Sequence, residues 1–299
     1  MAVEELNEEQ QEAPVEEVEY PELKLVSHGR KMTKFRRPAL EIEGLVAASR
    51  LIPLIACSLD MSDQGLMYAF VERWHKETNS FHLPVGKVTI TLDDVASLLH
   101  LPIVGAFHNF EQLHVDNVVE MLVELLEVSA AETKIDACHW IIAARAYFLH
   151  LLGCTLFANK SVTHVHVVFL DALHDLTQSE TYAWGTAVLV HMYDNLNEAS
   201  KSMVRQLAGH ITLLHAFLVS TYHRHLDRLT PDVMCWISYG DHRSFREFEV
   251  ITSFFDHLRW GPLTVIHRPE RVVRQFGYIQ TIPPHPTVPS VFVEEVDDR

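Results

Sequence analysis

Glycine is scarce and scattered. The 299-residue chain holds 11, and no two lie closer than 15 positions, at 29 and 44. The dinucleotide fingerprint, the phosphate-cradling P-loop and the nucleophile elbow each need two glycines within a few positions. Nucleotide or hydrolase sites built on those loops are therefore excluded. Cysteine is sparse too, with four residues at 57, 138, 154 and 235. That is too few for a disulfide scaffold, contains no C-x-x-C, and suggests a reducing compartment. Lysine numbers eight, none in a setting that argues for a Schiff base. Long apolar runs are missing as well. The best, residues 206–223, has 18 residues without formal charge but carries His210, Thr212, His215, Ser220, Thr221 and His223. It reads as a buried helix, and no membrane contact is expected. Residues 1–20 have neither the basic start nor the apolar stretch of a secretory signal.

What is present is a globular composition, 48% hydrophobic and 21% charged. The formal net charge is −16, and its long-range field repels phosphate, which excludes a general DNA-coating role. Residues 1–20 contain eight Glu and no Lys or Arg and read as a disordered acidic tail. Residues 21–40 read as a basic arm, with Lys24, Arg30, Lys31, Lys34, Arg36 and Arg37 against Glu22. Arg30, Lys31, Lys34, Arg36 and Arg37 fit a nuclear-import signal, a nucleic-acid contact or a solvated linker. The expected helical domain covers 41–283. A proline-rich acidic tail, 284–299, follows.

Helical periodicity dominates the domain. Trp184, Val188, Met192 and Leu196 form one stripe, and Leu207, Ile211, Leu214 and Leu218 another; a third runs from Val115 to Leu126. Further helices are expected over 43–56, 64–75, 137–151 and 162–176. Strand patterns are few: 87–91 and 263–266, short enough to pair as one ribbon. The fold class is mainly α, a single multi-helix domain with one or two short β ribbons.

Thr91, Asp93 and Asp94 precede an apolar helix and read as an N-terminal cap, with no need for a metal or an acid–base pair. Residues 91–105 look like the start of a helix-turn-helix, but the next predicted helix, 111–127, carries Glu111, Asp116, Glu120, Glu124 and Glu127 and faces a phosphate backbone badly. Pro269 suits the first position of a short helix that spaces His267, Arg271 and Arg274 at i, i+4 and i+7, beside Arg268. Arg268, Arg271 and Arg274 are the candidate anion-contact helix, with pairing to the protein's own acids as the alternative. None of the 20 histidines has zinc-protease spacing. Cys154 reads as a core thiol, and the five tryptophans as core anchors. No cofactor, metal or catalytic residue is assigned.

Several strings together resemble the plant mobile domain family, also labelled aminotransferase-like. They are His28-Gly29-Arg30-Lys31, Val71-Glu72-Arg73-Trp74, Phe81-His82-Leu83-Pro84 with Gly86, and the run from Thr89 to Gly105. Arg145-Ala146-Tyr147, the stretch around Gly153 and Cys154, Trp184-Gly185, Pro231-Asp232, Trp236, and Pro269 to Gly277 with Phe276 continue it in family order. The sequence departs from the pattern at Lys87, where an acid is usual, and at His100, where glycine is frequent. The resemblance implies structural roles for Trp74, Asp93, Arg145, Gly153, Trp184, Gly185, Trp236 and Phe276. It also implies nuclear protein partners, meristem maintenance and repression of transposon-derived sequences. The expected function is thus a non-enzymatic nuclear regulatory and interaction domain. A DNA- or RNA-binding module using the basic arm and a cryptic enzyme are the alternatives.

Overall fold

Residues 184–199 are mostly apolar outside a stripe of His191, Asp194, Asn197 and Glu198, and such a helix must be covered on most of its sides. The computed structural model describes residues 24–25, 38–49, 51, 54, 64–106, 137–161, 167–201, 206–221, 254–276 and 279. Its elements are β1 (Lys24–Leu25), α1 (Leu40–Ala48), α2 (Gln64–Val71), β2 (Trp74–His75), β3 (Ser80–Leu83), β4 (Gly86–Val88) and α3 (Leu92–Leu99). After these come α4 (Ala137–Cys154), α5 (Trp184–Ala199), β5 (Gln206–Leu207), α6 (Ile211–Thr221), β6 (Asp256–Trp260) and β7 (Leu263–His267). The fold is mainly α with short ribbons. Helix α5 is its axis: Trp184, Val188, Met192 and Leu196 are buried, and so are Ala187, Leu189, Val190 and Tyr193. Helix α3 and strands β2, β5, β6 and β7 surround it.

Capping fixes the approach of α3 to α5. Asp94 N–H donates to Thr91 Oγ1 at 3.2 Å, and Asp94 Oδ2 accepts from Thr91 N–H at 2.7 Å, closing the expected capping box. The helix ends at His100, whose φ of 53° is left-handed. That conformation accounts for glycine being suited to the position, and an imidazole there costs about 1 kcal/mol. Residues 102 and 103 then bond to the first turn of α5. Ala183 supplies no side-chain cap; the Pro102 carbonyl accepts from Gly185 N–H at 2.8 Å and the Ile103 carbonyl from the Thr186 hydroxyl at 2.7 Å. A Cβ at Gly185 would stand 2.7 Å from Ile103 Cγ2 and 3.1 Å from the Pro102 oxygen, so this crossing admits no side chain.

Two antiparallel ribbons carry aromatic residues into the core. In the first, Trp74 faces Phe81, Phe81 faces Val88, and His82 faces Lys87. Trp74 lies 4.8 Å from Phe81 and 5.2 Å from Tyr193 between ring centroids, and its indole N–H donates to Asn197 Oδ1 at 2.7 Å. In the second, β6 pairs with β7 from Asp256–His267 to Trp260–Leu263. Trp260 stacks on Phe157 at 5.9 Å and leans on Trp184 at 5.5 Å. A two-residue parallel ladder joins β1 to β5.

Five sequence expectations need correction. The helix expected over 64–75 stops at Val71, and Trp74-His75 is a strand. Trp74 gains the Phe81 ring and the Asn197 bond that way. The two strand patterns do not pair with each other: Gly86–Val88 joins Ser80–Leu83, and Leu263–His267 joins Asp256–Trp260. Leu207 is not on the α6 stripe, because the chain bends at Gly209 (φ 93°) and the helix begins at Ile211. Residues 167–173 form a 3-10 helix where an α-helix was expected. The helix expected over 43–56 is observed as Leu40–Ala48, with Ser49 in turn geometry and its hydroxyl bonded back to the Val46 carbonyl. The stripe from Val115 to Leu126, and with it the second half of the helix-turn-helix question, lies outside the described residues.

Candidate anion-contact surface

The first ribbon has two unlike faces, because successive side chains alternate across a strand. Trp74, Phe81, Leu83 and Val88 point into the core. His75, His82 and Lys87 share the opposite face. The imidazoles of His75 and His82 stack at 3.7 Å with 12° between planes. The His82 ring is oriented by a 3.1 Å contact between its Nε2 and Thr78 Oγ1. Asn79, left-handed with φ 46°, closes the hairpin.

The C-terminal arginines meet this ribbon at its edge. Pro269–Arg271 and Val273–Phe276 are two successive 3-10 turns. The expected single helix is therefore absent: His267 is buried at the end of β7, and Arg271 and Arg274 lie in different 3-10 turns. Arg274 Nη1 donates to the Val85 carbonyl at 2.9 Å, clamping the β3–β4 turn. Arg271 Nε stands 3.5 Å from Glu270 Oε1. Burial and then the Arg271 guanidinium hold the Lys87 ammonium below its usual pKa. His82 is pulled down to about 4, by burial first, then by His75 and Lys87, against the opposing pull of Glu77. Two imidazoles and one ammonium thus share one ribbon face of an acidic protein. The signal in the sequence was the alternation of residues 74–88 flanked by turn residues, which identifies His75, His82 and Lys87 as one outward set.

The other expected positions serve the fold. Arg145 Nε and Nη2 donate to the Leu173 and His174 carbonyls at 3.1 and 2.5 Å, capping the 3-10 helix at its open end. The Trp184 indole donates to the Ser179 carbonyl at 2.8 Å. Asp93 is buried in the first turn of α3, Gly153 lies in α4, and Phe276 is in the core. Next to Phe276, the Gln275 amide pairs with a buried main chain like a further strand. Its Oε1 accepts from Thr89 N–H and its Nε2 donates to the Thr89 carbonyl, both at 2.9 Å. The Thr89 hydroxyl donates to the Asn79 carbonyl at 2.6 Å and meets Tyr193 Oη at 2.8 Å, and that phenol donates to the Ile90 carbonyl at 2.7 Å. Burial pushes the Tyr193 phenol well above its ordinary pKa. Arg30, Lys31, Lys34, Arg36, Arg37 and Trp236 lie outside the described residues.

Reactive groups are arranged less suggestively. Cys154 is a buried thiol whose Sγ lies 3.7 Å from His150 Nε2, one turn earlier on α4. It sits at the C-terminal end of the helix, where the dipole opposes a thiolate. Among the described residues no group of three or more His, Cys, Asp or Glu side chains is placed to hold a metal. Nor is any helix among them long and apolar enough to cross a membrane.

The family model for the plant mobile domain matches residues 51–218. Protein MAIN-LIKE 1 of Arabidopsis thaliana is 30% identical over 284 residues, covering 74% of this chain and 55% of that protein. Protein MAINTENANCE OF MERISTEMS of the same plant is 28% identical over 318 residues, covering 86% and 64%. A serine/threonine-protein phosphatase 7 long form homolog, also from that plant, is 27% identical over 296 residues, covering 74% of this chain and 22% of the homolog. The chain therefore spans about half to two thirds of the two meristem relatives and a smaller share of the phosphatase homolog. No solved structure matches it.

Proposed function

The chain belongs to the plant mobile domain family, and from that premise we propose that it is a non-enzymatic regulatory and interaction domain that works with protein partners in the nucleus. The similarity to Protein MAIN-LIKE 1 and Protein MAINTENANCE OF MERISTEMS carries this reading and links it to meristem maintenance. Repression of transposon-related sequences is part of the same proposal. The placement of Arg145, Trp184, Gly185 and Gln275 supports it, because packing and capping account for each without any reacting partner. The cluster Arg30, Lys31, Lys34, Arg36 and Arg37 is assigned to nuclear import.

Direct nucleic-acid binding through that cluster is the second reading, favoured by its density of cations. Tagged full-length protein, recovered from nuclear extract beside a variant with residues 30–37 neutralised, separates the two. Import predicts that the variant stays outside the nucleus yet still captures the same proteins when added to extract. Nucleic-acid binding predicts salt-sensitive loss of DNA or RNA from the recovered material. A wild-type protein that stays out of the nucleus would overturn the proposal. The phosphatase homolog keeps enzymatic action as a third reading. Purified protein that turns over a phosphoester, and loses that turnover on a point substitution, would replace the interaction role.

A further inference from the structure

The second ribbon has one covered face and one open face. Leu258, Trp260, Val265 and His267 are buried where β6 and β7 pack on α5. The alternate residues of the ladder turn the other way: His257 stands opposite Ile266, and Arg259 opposite Thr264. Phe255 and Arg268, the next residue along each strand, fall on that same side by alternation. His257, Arg259 and Thr264 are exposed, Phe255 is 43% exposed, and Ile266 and Arg268 are half-buried. The two acids nearest in the chain, Asp256 and Glu270, already have partners. Asp256 accepts from the His257 main-chain N–H at 2.7 Å and lies 3.0 Å from its ring, and Glu270 stands 3.5 Å from Arg271. Arg259 Nε donates to the Gly261 carbonyl at 3.3 Å. The Arg268 side chain makes no ion pair or hydrogen bond among the described residues, and its Nε is shielded from water without a partner. A half-buried guanidinium loses hydration, and here no acid of the fold replaces it.

We propose that the outer face of the β6–β7 ribbon docks an extended segment of a partner protein, with one carboxylate on Arg268, one on Arg259 and an apolar side chain between them. The proposal rests on the reading that the chain works with protein partners, and it adds the surface and the chemistry. Arg268 lies level with Phe255, four residues from Arg259 along the ribbon, which is about 13 Å in an extended strand. Acids at positions i and i+4 of an extended peptide span the same length, and position i+2 then lies level with His257 and Ile266. Guanidinium forks bind carboxylates with two parallel bonds, and arginine beside an aromatic ring, here Phe255, is the pairing that dominates interface energies. A second copy of this face is a poor occupant, because it would set arginines against arginines. A nucleic-acid strand is no better, since it would run past the exposed Asp256 on a chain of net charge −16. A segment with two carboxylates need not reach that acid.

Fluorescence anisotropy of the full chain with a labelled Glu-Ser-Leu-Ser-Glu peptide, flanked by glycines, tests it. The comparison probes are the same peptide with both Glu changed to Gln, and with Leu changed to Ser. Arg268→Gln and Arg259→Gln should each weaken the Glu peptide about tenfold, and each change in the peptide should weaken binding to the wild type. Lys76→Gln, which removes an exposed cation from the first ribbon, should leave the affinity in place. Arg268→Lys and Arg259→Gln carry the test if Arg268→Gln loses the near-ultraviolet signal of the folded core. The proposal fails if the wild type does not bind the Glu peptide, if the Gln peptide matches it, or if both arginine variants bind as the wild type does. It fails too if single-stranded DNA displaces the peptide at lower concentration than unlabelled peptide does, or if the chain is a dimer that Arg268→Gln dissociates. Capture from nuclear extract keeps the two readings apart. Equal capture of the same proteins by the wild type and by the Arg259→Gln, Arg268→Gln double variant removes this surface alone, whereas a wild type that captures none removes the interaction role and this surface with it.

Discussion

Replacing Gln275 by alanine removes two hydrogen bonds at once and leaves a main-chain N–H and C=O without partners in a dry place. Thr89 is 3% exposed, so water does not replace the amide. Each of the two 2.9 Å bonds contributes about 1 kcal/mol net, and each of the two stranded buried groups adds a comparable penalty, for a total of about 4 kcal/mol. That is a large share of the roughly 5–15 kcal/mol that holds a domain together. Urea unfolding followed by tryptophan fluorescence should show the lower midpoint with an unchanged slope. Gln275→Glu sharpens the test. An ionised carboxylate accepts from Thr89 N–H but sets its second oxygen against the Thr89 carbonyl. Only the protonated acid restores the donor, so folding raises its pKa. The variant then approaches wild-type stability below the ordinary glutamate pKa of about 4.3. It loses that stability as pH rises through the folded-state value. A Gln275→Ala midpoint within about 0.5 kcal/mol of wild type, or a Gln275→Glu deficit that does not shrink in acid relative to wild type at the same pH, would refute the reasoning.

Three other substitutions follow from local geometry. Gly185→Ala forces a methyl against Ile103 and the Pro102 carbonyl and should cost about 2 kcal/mol in the same melt. His100→Gly relieves the left-handed backbone at the end of α3 and should raise stability by up to about 1 kcal/mol; a loss would contradict the cap geometry. His210 is buried, accepts from Leu213 N–H at 2.9 Å through Nδ1, and is pushed down to about 4 by burial. The unfolded chain binds its proton near pH 6.5, so the stability held in its neutral form is complete above that pH and drains away as pH falls toward 4, amounting to about 3 kcal/mol. His210→Asn keeps an acceptor for the helix start and should flatten the acid limb of a pH–stability curve.

Some of this was open to inspection in the residues alone. The α5 stripe and the Thr91–Asp94 box follow from local chemistry, a 3.6-residue period and an oxygen three residues before an amide, and both stand in the structure. The strand identity of Trp74-His75 was hidden because a two-residue strand has no period to read; it exists only through its partners Phe81 and Ser80. Three arginines spaced by three would line up along a continuous 3-10 helix; the segment is instead two 3-10 turns broken at Val272 (φ −132°, ψ 29°), and that break interrupts the face. His75, His82 and Lys87 were each visible, but their common outward face depends on hairpin register. Gln275 gave no local signal at all, since its partner lies 186 positions away.

Several side-chain bonds, local and long-range, share a construction that explains how the family pattern is spread through the sequence. The acceptors are main-chain carbonyls: Ala69 for Arg73, Val85 for Arg274, Leu173 and His174 for Arg145, Ser179 for Trp184, Thr89 for Gln275. A carbonyl is supplied by any residue type, so one side of each joint imposes no identity on the chain. The other side needs a long donor of fixed shape. A pattern of isolated Arg, Trp and Gln residues separated by freely varying stretches is what such joints require, and it suits relatives that share about 30% identity with this chain. The outer face of the first ribbon takes no part in those joints. Substitutions at Lys87 therefore alter surface charge without loosening the fold.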